Sequence, residues 1–227
     1  MLSQVSDVKR STRRDQAEST RRGIVRAAHE EFLARGYHGA TMAAIARRAG
    51  VAVQTVYFVF HTKAQLVSAV IDAAVLGPDP TIPQASDWWA AMQAADTATD
   101  ALTHFVRGVG PLLARAAHVS QIARDAALAD DEVKAVLSQH DRLQLDGYRQ
   151  VVDILAGKGE LRHGLTPETA VDLLLTFCGD SVYVELRINR GWSHDQVMDW
   201  LVASLPLLLL ADGSAEGVRD PVRGPRP

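Results

Sequence analysis

The 227-residue chain has little of what a disulfide-stabilised or membrane-embedded protein needs. Its one cysteine, Cys178, excludes an internal disulfide framework and fits a reducing compartment. No apolar run is long enough to span a bilayer, and the richest one, residues 201–210, is short and contains Pro206. The N-terminus is polar and basic, without the apolar core of a signal peptide. We therefore expect a cytoplasmic protein.

Motifs of catalysis are also missing. The sequence has no GxSxG, HExxH, P-loop or complete GxGxxG motif. Its 8 histidines are scattered without the paired helical spacing of metal ligands. Cys178 lies on an apolar helix face, which is typical of a core residue rather than a redox sensor. We predict no enzymatic activity, no cofactor and no metal site.

Charge is distributed unevenly along the chain. The net charge is −3, yet residues 1–63 hold 11 Lys/Arg and 5 Asp/Glu, a net +6. The remaining 164 residues hold 13 Lys/Arg and 22 Asp/Glu, a net −9. A basic head on an acidic body indicates a polyanionic partner for the head alone. Chance clustering is the alternative.

Residues 41–63 carry the pattern of two short helices joined by a tight turn. Thr41 can cap a helix that runs to about Ala49, and Gly50 suits the left-handed backbone that ends it. A second helix follows from about Val53 to Phe58. The buried stripe of the first helix is Met42, Ile45, Ala46 and Ala49. The pattern predicts a helix-turn-helix, whose second helix enters the DNA major groove. An ordinary pair of core helices is the alternative.

Polar and basic side chains surround this pattern. A glutamine can bond adenine in two places, and threonine or valine methyls can meet the thymine methyl. A capping box, residues 62–65, opens the next helix, whose N-terminus could grip a phosphate together with Lys63. The predicted DNA contacts are Thr41, Arg47, Arg48, Val53, Gln54, Thr55, Tyr57 and Lys63.

Residues 20–66 resemble the DNA-binding domain of TetR-family transcriptional regulators. The resemblance implies phosphate contacts by Thr41, Tyr57 and Lys63 and base reading by the helix around residues 53–57. Ala52, Gln54 and Val59 depart from the usual Ser/Thr, Gly and His/Tyr, and the last two change the expected base contacts. The matching residues are Ile24, Ala27, Ala28, Phe32, Gly36, Tyr37, Thr41, Ile45, Ala46, Ala49, Gly50, Val51, Thr55, Val56, Tyr57, Phe60, Lys63 and Leu66.

Only helical signals follow, so we predict an all-α fold: a three-helix head and a C-terminal helical bundle. The predicted helices are 15–35, 41–49, 53–58, 63–76, 86–95, 99–117 with a kink or split at Pro111, 121–129, 130–155, 166–189 and 193–210. The predicted parts are a basic disordered arm (1–14), the helix-turn-helix domain (15–63), a regulatory and dimerisation domain (64–211) and a disordered tail (212–227).

The predicted C-terminal domain has features of dimerisation and of regulation by a ligand. Its last two predicted helices are apolar over more than one face, which favours a four-helix bundle between two copies. The resemblance implies the same homodimer; fully buried core helices are the alternative. The resemblance also implies a small-molecule effector. Candidates to line its pocket are Trp88, Trp89, Met92, His104, Phe105, His118, Tyr148, Phe177 and Tyr183. Plain core packing is the alternative for each of them.

These observations predict a homodimeric transcriptional repressor that a ligand releases from a palindromic DNA operator. The helix of residues 63–76 would carry the change from the body to the head. One alternative is a DNA-binding regulator without a small ligand, controlled by a protein partner or by abundance. Another is an enzyme or a non-DNA binding module that keeps such a head.

Overall fold

The computed structural model describes residues 2–77 and 81–211, with side chains from residue 14 onward. The predicted tail, residues 212–227, lies outside the described residues. The helices are α1 (Leu2–Gly39), α2 (Met42–Ala49), α3 (Val53–Phe60), α4 (Lys63–Leu76), α5 (Asp87–Ala94), α6 (Ala98–Ala127), α7 (Asp131–Ala156), α8 (Pro167–Phe177), α9 (Asp180–Val184) and α10 (His194–Leu209). Extended pairing in the described ranges is limited to one bridge between Leu161 and Leu210. The all-α prediction is confirmed.

The chain forms two compact units. The first holds the residues up to Val75 together with His118–Gln139, and the second holds Leu76–Ala117 and the residues from His140 onward. The predicted boundary at 63/64 therefore differs from this division, because α4 packs with the first unit. The core of the first unit includes Ile24, Ala28, Phe32, Ile45, Val56, Phe60 and Leu66.

Helix α1 ends its regular part at Gly36, as predicted. This glycine has φ 66° and ψ 175°, a backbone conformation that side chains with a Cβ rarely adopt. The start differs from the prediction, because the helix begins at Leu2 rather than near Asp15. Residues 2–22 contain no glycine or proline to interrupt a helix. The segment predicted as a disordered arm therefore has helical backbone.

Helix α6 is one helix where the sequence predicted two. It continues through Pro111 to Ala127. A proline removes one backbone hydrogen bond and crowds the preceding turn, but packing along the rest of a long helix can outweigh that cost. The flanking residues Val109 and Leu113 are both buried in the core of the second unit.

The helix predicted for residues 166–189 is broken. Helix α8 ends at Phe177, and Gly179 is extended with ψ 164°. A Cβ on Gly179 would lie 2.3 Å from the carbonyl oxygen of Leu175, so the position needs glycine. Helix α9 follows, and then a π-helical turn covers Glu185–Asn189.

Helix starts in the second unit follow the predicted caps. The Ser193 hydroxyl accepts from the Gln196 N–H and the Gln196 side chain accepts from the Ser193 N–H, a complete capping box. Thr166 caps α8, with Pro167 at its first position. In the described ranges, no single helix is long and apolar enough to cross a membrane; α3 and α4 reach that threshold only as a pair bent by 74°.

Candidate nucleic-acid interface

The turn between α2 and α3 is built as predicted. The Thr41 Oγ1 accepts a 3.1 Å hydrogen bond from the Ala44 N–H and so caps α2. Gly50 has φ 71° and ψ 28°, and its N–H turns back to the carbonyls of Ala46 and Arg47. Ala52 begins α3 without a side-chain cap, as its lack of a hydroxyl predicts.

Helix α3 turns one face inward and one outward. Val56 and Phe60 are buried in the head. At 100° per residue, Gln54 and Phe58 lie opposite these two, and both are exposed. Phe58 is 82% exposed, more than Tyr57 at 50%. Phe58 is not among the predicted DNA contacts, and its spacing of four residues from Gln54 is the signal that places both on one face.

Two of the predicted base-reading residues flank that face. Val53 and Thr55 are half-buried, whereas Gln54 is exposed. The outward face of α3 therefore consists mainly of Gln54, Tyr57 and Phe58.

Lys63 lies at the joint between α1 and α4. Its ammonium donates to the backbone carbonyls of Tyr37 at 2.8 Å and Ala40 at 3.2 Å. Burial lowers the pKa of Lys63, and the charge of Asp130 opposes that shift. An ammonium has three N–H donors, and Lys63 uses two of them to join the end of α1 to the start of α4. The predicted phosphate contact of Lys63 remains a prediction.

The two arginines of α2 have different surroundings. Arg48 Nη1 lies 3.0 Å from Glu30, and Arg48 Nη2 lies 2.7 Å from Glu31. The hydrogen bonds that Arg48 donates to these carboxylates, first to Glu31 and then to Glu30, raise the pKa of Arg48. The Glu31 side chain is buried, and its second oxygen lies 3.2 Å from Arg35 as an ion pair. Arg48 thus neutralises a buried carboxylate, while Arg47 is exposed beside the turn.

The first turn of α7 contacts the head through two hydrogen bonds. The Tyr37 hydroxyl donates to Asp130 Oδ2 at 3.3 Å, and the Thr62 hydroxyl donates to Glu132 Oε1 at 2.6 Å. Asp130 also caps α7, since its Oδ1 accepts from the N–H groups of Glu132 and Val133. Burial, and then the Asp130 charge, raises the pKa of Tyr37. These contacts tie Tyr37 and Thr62 to the start of α7.

The predicted ligand-lining residues do not form one interior surface. His104 and His118 are exposed, and His118 belongs to the first unit, so these two do not share a buried surface with the other candidates. Both histidines lie on α6, and the sequence alone does not show which residues of this helix face the solvent. Trp88 and Phe177 are half-buried. The buried candidates are Trp89, Met92, Phe105, Tyr148 and Tyr183.

The Phe105 ring packs against the rings of both Trp88 and Tyr148. The rings of Phe105 and Tyr148 are 5.4 Å apart, and those of Trp88 and Phe105 are 6.3 Å apart. The Trp88 ring covers Gly108 so closely that a Cβ there would lie 2.2 Å from it. The Tyr148 hydroxyl donates to the Cys178 carbonyl at 3.0 Å. The cluster is tightly packed around these contacts.

A half-open groove of about 260 Å³ lies elsewhere in the second unit, between α7 and α8. None of the nine predicted ligand residues lines it. The lining residues are Leu145, Arg149, Val152, Asp153, Pro167, Glu168, Val171 and Asp172. In the part of the chain that the structure describes, no three His, Cys, Asp or Glu side chains are grouped as metal ligands.

Residues 24–70 match the family described as "Bacterial regulatory proteins, tetR family". The HTH-type transcriptional regulator TtgR of Pseudomonas putida is 40% identical over 60 residues, 26% of this chain and 29% of TtgR. The probable HTH-type regulator ArpR, also from Pseudomonas putida, shows the same figures. The match thus spans less than a third of these relatives.

Solved structures resemble more of the chain. NalD of Pseudomonas aeruginosa, the secondary repressor of the MexAB-OprM multidrug efflux pump, has a TM-score of 0.66 at 22% identity, covering 87% of this chain and 99% of NalD. FadR of Bacillus subtilis, solved with stearoyl-CoA, has a TM-score of 0.64 at 19% identity, covering 81% and 96%. At these identities the likeness shows the fold. The match to the family lies on the helix-turn-helix and its flanking helices, so these residues form a DNA-binding domain of the kind found in the tetR family of bacterial regulatory proteins.

Proposed function

We propose that this protein is a sequence-specific DNA-binding transcriptional regulator that acts as a repressor. The observation that carries the proposal is the exposed face of α3, held on a capped helix-turn-helix within the residues that match the tetR family. A helix of this kind docks in the major groove with its outward side chains on base edges. The net charge of +6 over residues 1–63 supplies the attraction to phosphates.

Roles on the DNA follow from chemistry and position. Gln54 is exposed and can bond adenine N6 and N7 together. Tyr57 has a hydroxyl on a half-exposed side chain at the flank of that face, which suits a phosphate contact. The exposed Arg47 beside the turn suits a second one.

We infer a homodimer from the apolar surface of the last helices. Leu207 on α10 and Ile188 in the π turn are 53% and 51% exposed. The half-buried Trp200 lies 6.1 Å from Phe177 and 6.2 Å from Trp192, ring to ring. A second copy that covered this surface would form a four-helix bundle and would place two α3 helices on a palindromic operator.

We further propose that a small molecule controls DNA binding. A structural neighbour, FadR of Bacillus subtilis, was solved with stearoyl-CoA, which makes ligand control a reasonable expectation for this fold. The close contacts among Trp88, Phe105 and Tyr148 favour the second candidate, a regulator without a small ligand. A ligand would have to separate these rings or bind elsewhere, such as the groove between α7 and α8.

A salt-titrated mobility shift tests DNA binding. The probes are the DNA upstream of the protein's own gene and a scrambled duplex of equal composition. We expect a specific complex whose affinity falls steeply with salt. Tyr57→Phe should weaken binding to all sequences, whereas Gln54→Ala should change base preference. The absence of any complex at low salt would contradict the proposed DNA binding.

Light scattering and a thermal-shift screen test the other two parts. The first should give twice the chain mass, and Leu207→Arg should reduce it, because a charge would be buried in the interface. In the screen, a compound that raises the Tm and releases the operator supports ligand control. A regulator without a ligand predicts an intact operator complex and no stabilising compound.

A further inference from the structure

Phe58 is the largest apolar side chain on the outward face of α3, and no contact in the head accounts for it. It is 82% exposed, whereas Phe60, two residues later, is 2% exposed. The head core is therefore complete without the Phe58 ring. A phenyl ring has no hydrogen-bond donor or acceptor, so it cannot bind a phosphate as Tyr57 can.

The position of Phe58 relative to Gln54 defines what it can reach. The two residues are four apart on one face of α3, about 6 Å along the helix axis. This rise corresponds to about two base-pair steps at 3.4 Å each. If Gln54 meets a base edge, the Phe58 ring lies over the edge of a base pair close by.

The major groove offers one apolar group to such a ring. Thymine carries a C5-methyl there, and the remaining edge atoms of all four base pairs are mainly donors and acceptors. We propose that Phe58 is a specificity-determining residue that packs on a thymine methyl about two steps from the base that Gln54 contacts. This inference rests on the proposed DNA-binding function and adds to it a second base that the protein recognises.

Exchange of single thymines for deoxyuridine tests the contact, since it removes the methyl and leaves base pairing intact. The probe is a duplex enriched by the wild-type protein from a random pool, with every thymine replaced in turn. Fluorescence anisotropy at fixed salt gives the Kd of each duplex. We expect about a 4-fold loss for wild type at one thymine per half-site, the factor for one buried methyl at about 0.8 kcal/mol. Phe58→Ala should lose affinity for the parent duplex and show no further loss at that thymine.

Two variants complete the design. Phe58→Leu keeps an apolar side chain and should keep part of the methyl sensitivity. Leu128→Ala, at a residue of the first unit that is 89% exposed, is the matched control and should bind as wild type does. Circular dichroism checks that each variant is folded, which we expect because the Phe58 side chain lies outside the core.

The outcomes separate the inference from the proposed function. Failure of the pool to yield any bound duplex at low salt would remove the proposed function and this inference with it. A specific complex that is insensitive to every exchange, or equal sensitivity in wild type and Phe58→Ala, would overturn the inference alone. Unchanged DNA binding by Phe58→Ala would also overturn it.

Discussion

The Nζ of Lys63 lies 4.2 Å from the centre of the Tyr37 ring and donates a 2.8 Å hydrogen bond to the carbonyl oxygen of the same residue. Tyr37 directly follows Gly36, where α1 ends its regular part, so the lysine satisfies carbonyls that a helix end leaves without partners. The side chain that the family resemblance assigns to DNA thus also fixes α4 to α1.

Replacement of Lys63 should therefore affect stability as well as DNA binding. We expect Lys63→Ala to lower the free energy of unfolding by about 1–2 kcal/mol, because two charge-assisted hydrogen bonds and a cation–π contact are lost. Urea denaturation measures the change. Lys134→Ala, at an exposed lysine of α7, is the control and should change little. Equal stability of both variants and wild type would show that these contacts contribute nothing.

The neighbouring arginines of α2 should differ in what they do. Arg47→Ala should reduce the slope of log affinity against log salt by about 0.9 per subunit, the value for one lost phosphate contact. Arg48→Ala should change that slope less and should lower the Tm, because the buried carboxylate of Glu31 loses its nearest cation. A salt titration of DNA binding and a melting curve for each variant measure both effects. Identical behaviour of the two variants would contradict the assignment.

Local signals predicted the parts of the fold that local chemistry determines. Gly50 ends α2, Thr166 caps α8 and Ser193 caps α10, because each of these ends depends on a few neighbouring residues. A split at Pro111 does not occur, because the cost of a proline is local, whereas the packing that keeps α6 continuous is tertiary. The break at Gly179 depends on an extended backbone that a helical apolar stripe does not reveal.

The candidate site was predictable to the same extent. The turn and its capping residue follow from spacing, and Gln54 was placed correctly on the exposed face. Phe58 was missed because an aromatic residue in an apolar stretch reads as core until Val56 and Phe60 fix the inward direction. The exposure of His104 and His118 was not predicted, because sequence alone does not tell which polar positions on a helix face the solvent.

Two helix glycines should respond in opposite ways to the same substitution. A Cβ on Gly23 in α1 would meet no atom within 4 Å, so Gly23→Ala should raise stability by about 0.5–1 kcal/mol. A Cβ on Gly108 in α6 would lie 2.2 Å from the Trp88 ring, so Gly108→Ala should lower stability by about 1–3 kcal/mol. Chemical denaturation of both variants measures the difference. A gain at Gly108 would show that the Trp88 ring moves aside at little cost.

The buried hydroxyl of Tyr37 should make part of the stability depend on alkaline pH. Burial and the Asp130 carboxylate raise its pKa, so the folded protein keeps this proton where the unfolded chain releases it. The contribution is fully present below about pH 10, the ordinary pKa of tyrosine, and is lost as the pH rises from there towards the folded value. Tyr37→Phe should lose the hydrogen bond to Asp130 at neutral pH and should show a shallower fall in stability above about pH 10.

Denaturation over a pH series, with the ultraviolet absorbance of tyrosinate recorded in parallel, separates the contribution of Tyr37 from that of Tyr148. Burial also raises the pKa of Tyr148. Tyr148→Phe should therefore remove a second part of the alkaline fall in stability, and the double variant should lack both parts. The two tyrosines lie in different units, which favours additive effects. An alkaline fall in Tyr37→Phe as steep as that of wild type would mean that the folded and unfolded states release the Tyr37 proton at the same pH, so that this phenol adds nothing to the pH dependence. The hydrogen bond of Thr62 to Glu132, which ties the start of α4 to the start of α7, would be unaffected.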